Sequence, residues 1–259
     1  MDSKTLLLRQ KIIRHIWEYF EAKSYILAYW LGGSDANDES DEYSDLDLFL
    51  CVKDWQETGV LSEMKHILSS LWPLDYIENI EYKEKKFSQN FHIKNTPESL
   101  IIEIYLIPQS EWMQFTYDHP AFKPKVVFDK VNVITFRELD TVDLKRKILI
   151  QLAEQKNLMM ESGRAIKYIQ RQEYIEATNY YIKYVFLPLV SVLRIKHTPL
   201  LHDWLRIHIS RHFPKDIVVR LDNLMCFASW EDILQRIPLA REWFWEVVKE
   251  LETRENYKL

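Results

Sequence analysis

The stretch "YWLGGSDANDESDEYSDLDLFL", residues 29–50, decides the fold. An apolar run ends in two adjacent glycines, Gly32 and Gly33, and seven carboxylates follow before the chain turns apolar again. The 259 residues contain only four glycines, against a usual share of roughly 7%, so half of them stand at this one turn. Backbone freedom and negative charge are concentrated at the same place. The run "YILAYWL" before the glycines reads as one strand, and "SDLDLFLCV" after the acidic loop as a second. In that second strand Asp45 and Asp47 share a face, because strand side chains alternate with a period of two, while Leu46, Leu48 and Leu50 take the opposite, core-facing side. Two like charges on a strand otherwise committed to burial need a counter-ion. Hard oxygen donors in this arrangement suit Mg2+, which takes one or two carboxylates and fills its shell with water and substrate phosphates.

Working outward, residues 3–22 carry apolar side chains at Leu7, Ile12, Ile16, Tyr19 and Phe20, the spacing of an amphipathic helix. "WQETGVLSEMKHILSSLW" predicts another helix, closed by Pro73. "DYIENIEY", "FSQNFHI" and "SLIIEIYLI" are strand-like, with "KVVFDK" a short fourth segment. Glu103 is the only charge inside the run "LIIEIYLI" and repeats the anomaly of Asp45 and Asp47. Three acids on two neighbouring strands could share a metal. From about Asp140 the strand patterns stop. "DLKRKILIQLAEQKNLMMESGRAIKYIQ" keeps Leu144, Ile148, Leu152, Met159 and Ile166 on one helical stripe. Further helices are expected in "EYIEATNYYIKYVFLPLVSVLRIKH", "LLHDWLRIHISRHF", "DIVVRLDNLMCFA" and "WEDILQRIPLAREWFWEVVKELE", with Pro188 and Pro238 expected to kink or break them. The expected fold class is α+β: an N-terminal mixed sheet with flanking helices over residues 1–137, then an all-α helical bundle over 138–259 that closes a cleft over the sheet.

A Gly-Gly-Ser turn after a strand exposes backbone N–H groups to an anion with no side chain in the way, and Ser34 adds a hydroxyl donor. A phosphate fits such a turn, and a divalent cation would convert the repulsion between phosphate and carboxylates into a clamp.

Gly33-Ser34, ten residues, then Asp45-Leu46-Asp47 matches the GS-x10-DxD signature of the DNA polymerase β-like nucleotidyltransferases. "YSDLDL" resembles the corresponding stretch of antibiotic nucleotidyltransferases that adenylylate aminoglycosides or lincosamides. The resemblance implies that Gly33 and Ser34 contact nucleotide phosphates and that Asp45 and Asp47 hold Mg2+. Glu103 matches a position that serves in relatives as a third metal ligand or as the base that deprotonates the acceptor hydroxyl, and both roles stay open. ATP or another nucleoside triphosphate would be the co-substrate, and a small hydroxylated molecule the acceptor of AMP. The alternative is an antitoxin-like minimal nucleotidyltransferase that binds or adenylylates a protein partner. Its members are commonly shorter and lack a large helical half.

Composition narrows the partners. With 34 Lys and Arg against 39 Asp and Glu, a net charge of −5 gives no reason to expect nucleic acid. The first residues show no signal peptide, no run is long enough to span a bilayer, and Cys51 and Cys226 lack metal or redox spacing, so a cytoplasmic protein is expected. The oligomeric state is left open, a homodimer included. The acids Asp35, Asp38, Glu39, Asp41 and Glu42 read as a solvated loop. His208 and His212, at i and i+4 of an expected helix, make half a zinc site with no third ligand evident. Arg206 and His212 have the Arg-x5-His spacing of certain ribonuclease toxins, but Arg9 and His15 repeat it and the spacing carries little weight. Trp243, Phe244 and Trp245 read as bundle core or a partner contact, and Lys183 and Lys196 could reach a triphosphate, although lysines on helices are usually solvated.

Overall fold

The structure, a computed structural model, describes residues 3–78, 87–112, 114–117 and 119–253. It divides into two compact units, Met1–Leu139 and Asp140–Leu259.

The first unit opens with helix α1 (Ser3–Phe20) and strand β1 (Ile26–Leu31), and a single helical turn, α2 (Gly33–Ala36), starts at the second glycine of the pair. After the acidic loop come β2 (Leu46–Val52), α3 (Glu57–Leu71), β3 (Leu74–Ile77), β4 (Ser88–Ile93) and β5 (Ile101–Pro108). The unit ends with β6 (Phe115–Thr116), β7 (Lys125–Asp129) and β8 (Phe136–Arg137). Six strands form one mixed sheet in the order β3-β4-β5-β2-β1-β7. β2 runs parallel to β5 and antiparallel to β1, so the acidic strand lies in the middle of the sheet. "KVVFDK" becomes the edge strand β7 against β1. The expected strand "DYIENIEY" is described only as far as Ile77, since 79–86 lie outside the described residues. The parallel pair β6 and β8 has no counterpart in the periodicity, because two-residue strands are too short to alternate.

Alternation along β2 sorts the sheet into two faces. Leu46, Leu48 and Leu50 are fully buried, with Ile12, Ile16 and Phe20 of α1 and Val60, Met64 and Leu68 of α3 in the same core. Each such side chain contributes roughly 1.5–3 kcal/mol when removed from water. The other face is divided lengthwise: Asp47 stands at its N-terminal end, Phe49 and Cys51 toward its C-terminal end, where a smaller core holds Trp30, Ala28 and Leu27. Leu7, expected on the buried stripe of α1, is exposed instead. The stripe that is buried runs Thr5, Arg9, Ile12, Ile16 and Phe20, at the spacing of one helix face.

The second unit is helical among its described residues: α4 (Thr141–Met160), α5 (Gly163–Gln170), α6 (Tyr174–Tyr181), α7 (Leu187–His197), α8 (Ile209–His212), α9 (Lys215–Met225) and α10 (Trp230–Thr253). Its core includes Leu152, Met159, Val185, Leu189, Leu193, Trp243 and Phe244. Together the units are the α+β class with a C-terminal set of helices that the periodicity predicts.

Two helical expectations need correction. The stripe expected from 143 to 170 is cut at Glu161 and Ser162, where the backbone turns back on Leu158 and Met159 and a new helix starts at Gly163. Residues 200–213 were expected as one helix and form only a short 3-10 turn at Pro199–Leu201 and the single turn α8. Between these, Leu205 and His208 take positive φ, and the buried guanidinium of Arg194 donates hydrogen bonds to the carbonyls of Leu205 and Ile207. Pro238 lies inside α10 and does not break it. Pro188 does coincide with a distortion, a π-helical turn over Ile182–Phe186, which accommodates the missing N–H in the following turn.

Candidate functional site

β1 delivers Gly32 and Gly33 to a position beside β2, and the Gly32 N–H donates to the carbonyl of Asp47 at 3.0 Å. Close approach then dictates glycine at both positions. A Cβ on Gly32 would collide with the Phe49 ring, and one on Gly33 with the Asp47 carboxylate. Gly33 also has φ +52°, the left-handed region that costs any L-residue about 1–2 kcal/mol. Gly33→Ala is therefore expected to lower stability by about 1–3 kcal/mol. Gly59→Ala is its control, because a Cβ there meets only open space inside α3 and should be neutral or stabilising by up to ~1 kcal/mol. Urea unfolding of the two variants reads the difference; equal effects would remove the steric argument.

Asp45 precedes β2, and Asp47 lies one alternation further along. In the parallel ladder Asp47 is directly opposite Glu103 of β5. Asp47 is only partly exposed, and its carboxyl is pushed up to about 7, first by burial and then by the charges of Asp45, Glu103 and Asp35, with Arg9 opposing. Glu103 accepts a hydrogen bond from the Tyr105 hydroxyl, whose own pKa is raised by burial and by that carboxylate. No Lys or Arg forms an ion pair with Asp45, Asp47 or Glu103 among the described residues.

Arg9 is the residue that sequence reasoning set aside. Its side chain is 1% exposed, donates to the carbonyls of Ser44 (2.5 Å) and Asp45 (2.7 Å), and pairs with the Asp35 carboxylate. One cation of α1 thus ties both ends of the acidic loop. Asp35 is accordingly not a solvated loop acid: burial raises its pKa, while Arg9 and Ser40 act in the opposite sense. Asp38 pairs with Lys125, and Asp41 accepts from the Tyr43 N–H and the Ser44 hydroxyl as a turn acid. The signal for Arg9 was present in the sequence, as a charge on the stripe of Ile12, Ile16 and Phe20.

The donor set fits a divalent cation. Asp47 is held near others of its own charge, and the buried Ser34 hydroxyl has no hydrogen-bond partner, two features that bound cation and phosphate would satisfy. No group of three or more His, Cys, Asp or Glu side chains is placed to hold a metal by itself among the described residues. A cation at Asp47 would therefore draw part of its shell from water and phosphate oxygens, the usual habit of Mg2+.

The remaining candidates separate. His208 has left-handed backbone and only caps α8, and its ring centroid is 5.8 Å from that of His212, whose Nδ1 lies 3.0 Å from Arg194. His208 thus stands at the N-cap, not inside a helix; the His212 N–H still donates to its carbonyl at 3.0 Å and the two rings stay adjacent, with no third metal ligand beside them among the described residues. Lys183 sits 5.1 Å over the Tyr184 ring, and Lys196 pairs with Glu250 at 2.6 Å. Cys51 is buried and Cys226 exposed. No described helix is long and apolar enough to cross a membrane.

Residues 13–104, from within α1 to the middle of β5, match the family described as the nucleotidyltransferase domain. Two solved structures match the chain. One is an aminoglycoside 6-adenyltransferase from Bacillus subtilis, 14% identical over 97% of this chain and 92% of that one, with a TM-score of 0.37. The other is a spectinomycin adenyltransferase from Enterococcus faecialis with ATP and spectinomycin, 12% identical over 94% and 99% of the two chains, with a TM-score of 0.35. No curated protein matches the sequence.

Proposed function

With a nucleotidyltransferase domain at residues 13–104 as the premise, we propose that this enzyme moves AMP from ATP to a hydroxyl of a small molecule in a Mg2+-dependent reaction. Aminoglycosides and lincosamides are the acceptor classes to test first. The observation that carries the reading is the placement of Asp47, one alternation from Asp45, opposite Glu103 of β5 and packed against the Gly33 turn, in the domain that matches the family. Such crowding is costly in the empty protein and useful when a cation binds.

In this reading Asp45 and Asp47 hold Mg2+, while the Gly33 backbone and the unpartnered Ser34 hydroxyl receive phosphate oxygens. The ion would supply charge neutralisation at the phosphates and hold the α-phosphate in line with the attacking oxygen. The acceptor hydroxyl gives up its proton, its oxygen bonds to the α-phosphorus, and the bond from that phosphorus to the bridging oxygen of pyrophosphate breaks. Glu103 either takes that proton or completes the ligand set. The Glu103→Gln variant separates the roles. A base should leave Mg2+-dependent ATP affinity unchanged in calorimetry and lose about 10²–10⁴-fold in transfer. A ligand should lose that affinity as well.

The test of the function is incubation with ATP, Mg2+ and a panel of hydroxylated antibiotics, read as a mass gain corresponding to AMP. A product confirms both the transfer and the acceptor class. Neither product nor pyrophosphate with any acceptor, including co-purifying proteins, would overturn the reading.

A further inference from the structure

We propose that Tyr105 is the positioning residue of Glu103, fixed in that task by an aromatic stack running through Phe49 to Trp30; the proposal rests on the nucleotidyltransferase reading above. The register creates the arrangement. Parallel pairing puts Asp47 opposite Glu103 and, one alternation further, Phe49 opposite Tyr105, so all four side chains share a face of the sheet. Tyr105 reaches back along its own strand and donates its hydroxyl proton to Oε2 of Glu103. That bond selects one arrangement of a carboxylate that otherwise has three side-chain torsions to explore, and leaves Oε1 available for a proton or a ligand contact.

A tyrosine can discipline its neighbour only if its own ring is held. The Tyr105 ring stacks on Phe49 with centroids 4.7 Å apart and planes 12° apart, and Phe49 stacks on Trp30 at 5.5 Å and 12°. Trp30 is in turn met edge-on by Trp112 at 5.6 Å and by Phe115 at 6.0 Å. Offset stacking of this kind stabilises each pair beyond simple burial. Phe49 also occupies the space against Gly32 where a side chain would otherwise stand. One ring thus sets both the glycine turn and the orientation of Tyr105.

The test compares Tyr105→Phe, which keeps the stack and removes the hydroxyl, with the unsubstituted protein and with Glu103→Gln. We expect kcat for AMP transfer to fall about 10–100-fold with KM for ATP unchanged, as a small misplacement of a reacting group produces. We also expect Tyr105→Phe to add little to Glu103→Gln, because the two act as a unit. A second readout is independent of turnover: the carbon-13 resonance of the Glu103 carboxyl in the nucleotide-free protein should move in Tyr105→Phe. Unaltered kcat, an effect fully additive with Glu103→Gln, or an unmoved Glu103 resonance would each overturn the proposal. Absence of transfer by the unsubstituted protein, with the resonance shift present, would instead overturn the function and with it the catalytic consequence of the hydrogen bond.

Discussion

Asp47→Asn is expected to abolish AMP transfer and to stabilise the nucleotide-free protein. The loss follows from removing the carboxylate that holds the cation, and should be on the order of 10³-fold or more in kcat/KM. The stabilisation follows from linkage. The carboxyl of Asp47 rises from an ordinary 3.8 to about 7 on folding, so the folded state binds a proton that the unfolded chain releases. Stability contributed through this group is full below pH ~4 and is lost as pH rises through ~7. Asparagine carries no such penalty. After discounting for partial exposure, the gain above neutral pH is on the order of 2 kcal/mol, several degrees in Tm, and it should vanish near pH 4. Thermal melts of both proteins between pH 4 and 8 check it. Parallel pH profiles would mean that neither burial nor the neighbouring carboxylates raise the Asp47 carboxyl on folding.

Arg9→Met is expected to have the largest effect on stability. The guanidinium is almost wholly buried, and its removal leaves Asp35, itself 12% exposed, without its counter-charge and the carbonyls of Ser44 and Asp45 without their donor. Breaking one side of such a buried pair typically costs about 3–5 kcal/mol. The loss should be smaller at low pH, where Asp35 can take up a proton, and the double variant with Asp35→Asn should recover part of it at neutral pH. Urea unfolding of the full chain at two pH values measures both. A loss below ~1 kcal/mol would show that the acidic loop keeps its place without Arg9.

Much of this was legible in residues 29–50. Alternation across "SDLDLFL" separates Leu46, Leu48 and Leu50 from Asp47, and the structure buries the former in the core of α1 and α3 while setting Asp47 beside Glu103. That the strands of Asp47 and Glu103 are neighbours is what the two acids in apolar runs suggest, and β2 does pair with β5; the parallel direction and the register that set the two side chains opposite each other were not legible, since they depend on contacts between segments far apart in sequence. Arg9 hid behind an apolar pattern counted with Leu7 in it; the stripe becomes plain once Thr5 and Arg9 replace Leu7 on the buried face. Asp35 looked like one acid among many because its partner lies 26 residues earlier, on another element. In the helical unit, periodicity found the helices but missed the break at Glu161 and Ser162 and the irregular segment around Arg194. There, backbone hydrogen bonds and buried side-chain donors override the apolar spacing.

The central claim is that the glycine turn and the carboxylates of β2 form a cation-dependent nucleotide site. Calorimetric titration of ATP into the unsubstituted protein and into Asp47→Asn, each with Mg2+ and with EDTA, tests it most directly. The expected result is binding at least about tenfold tighter with Mg2+ in the unsubstituted protein, with that gain absent from Asp47→Asn. Equal ATP affinity in all four titrations would contradict the claim.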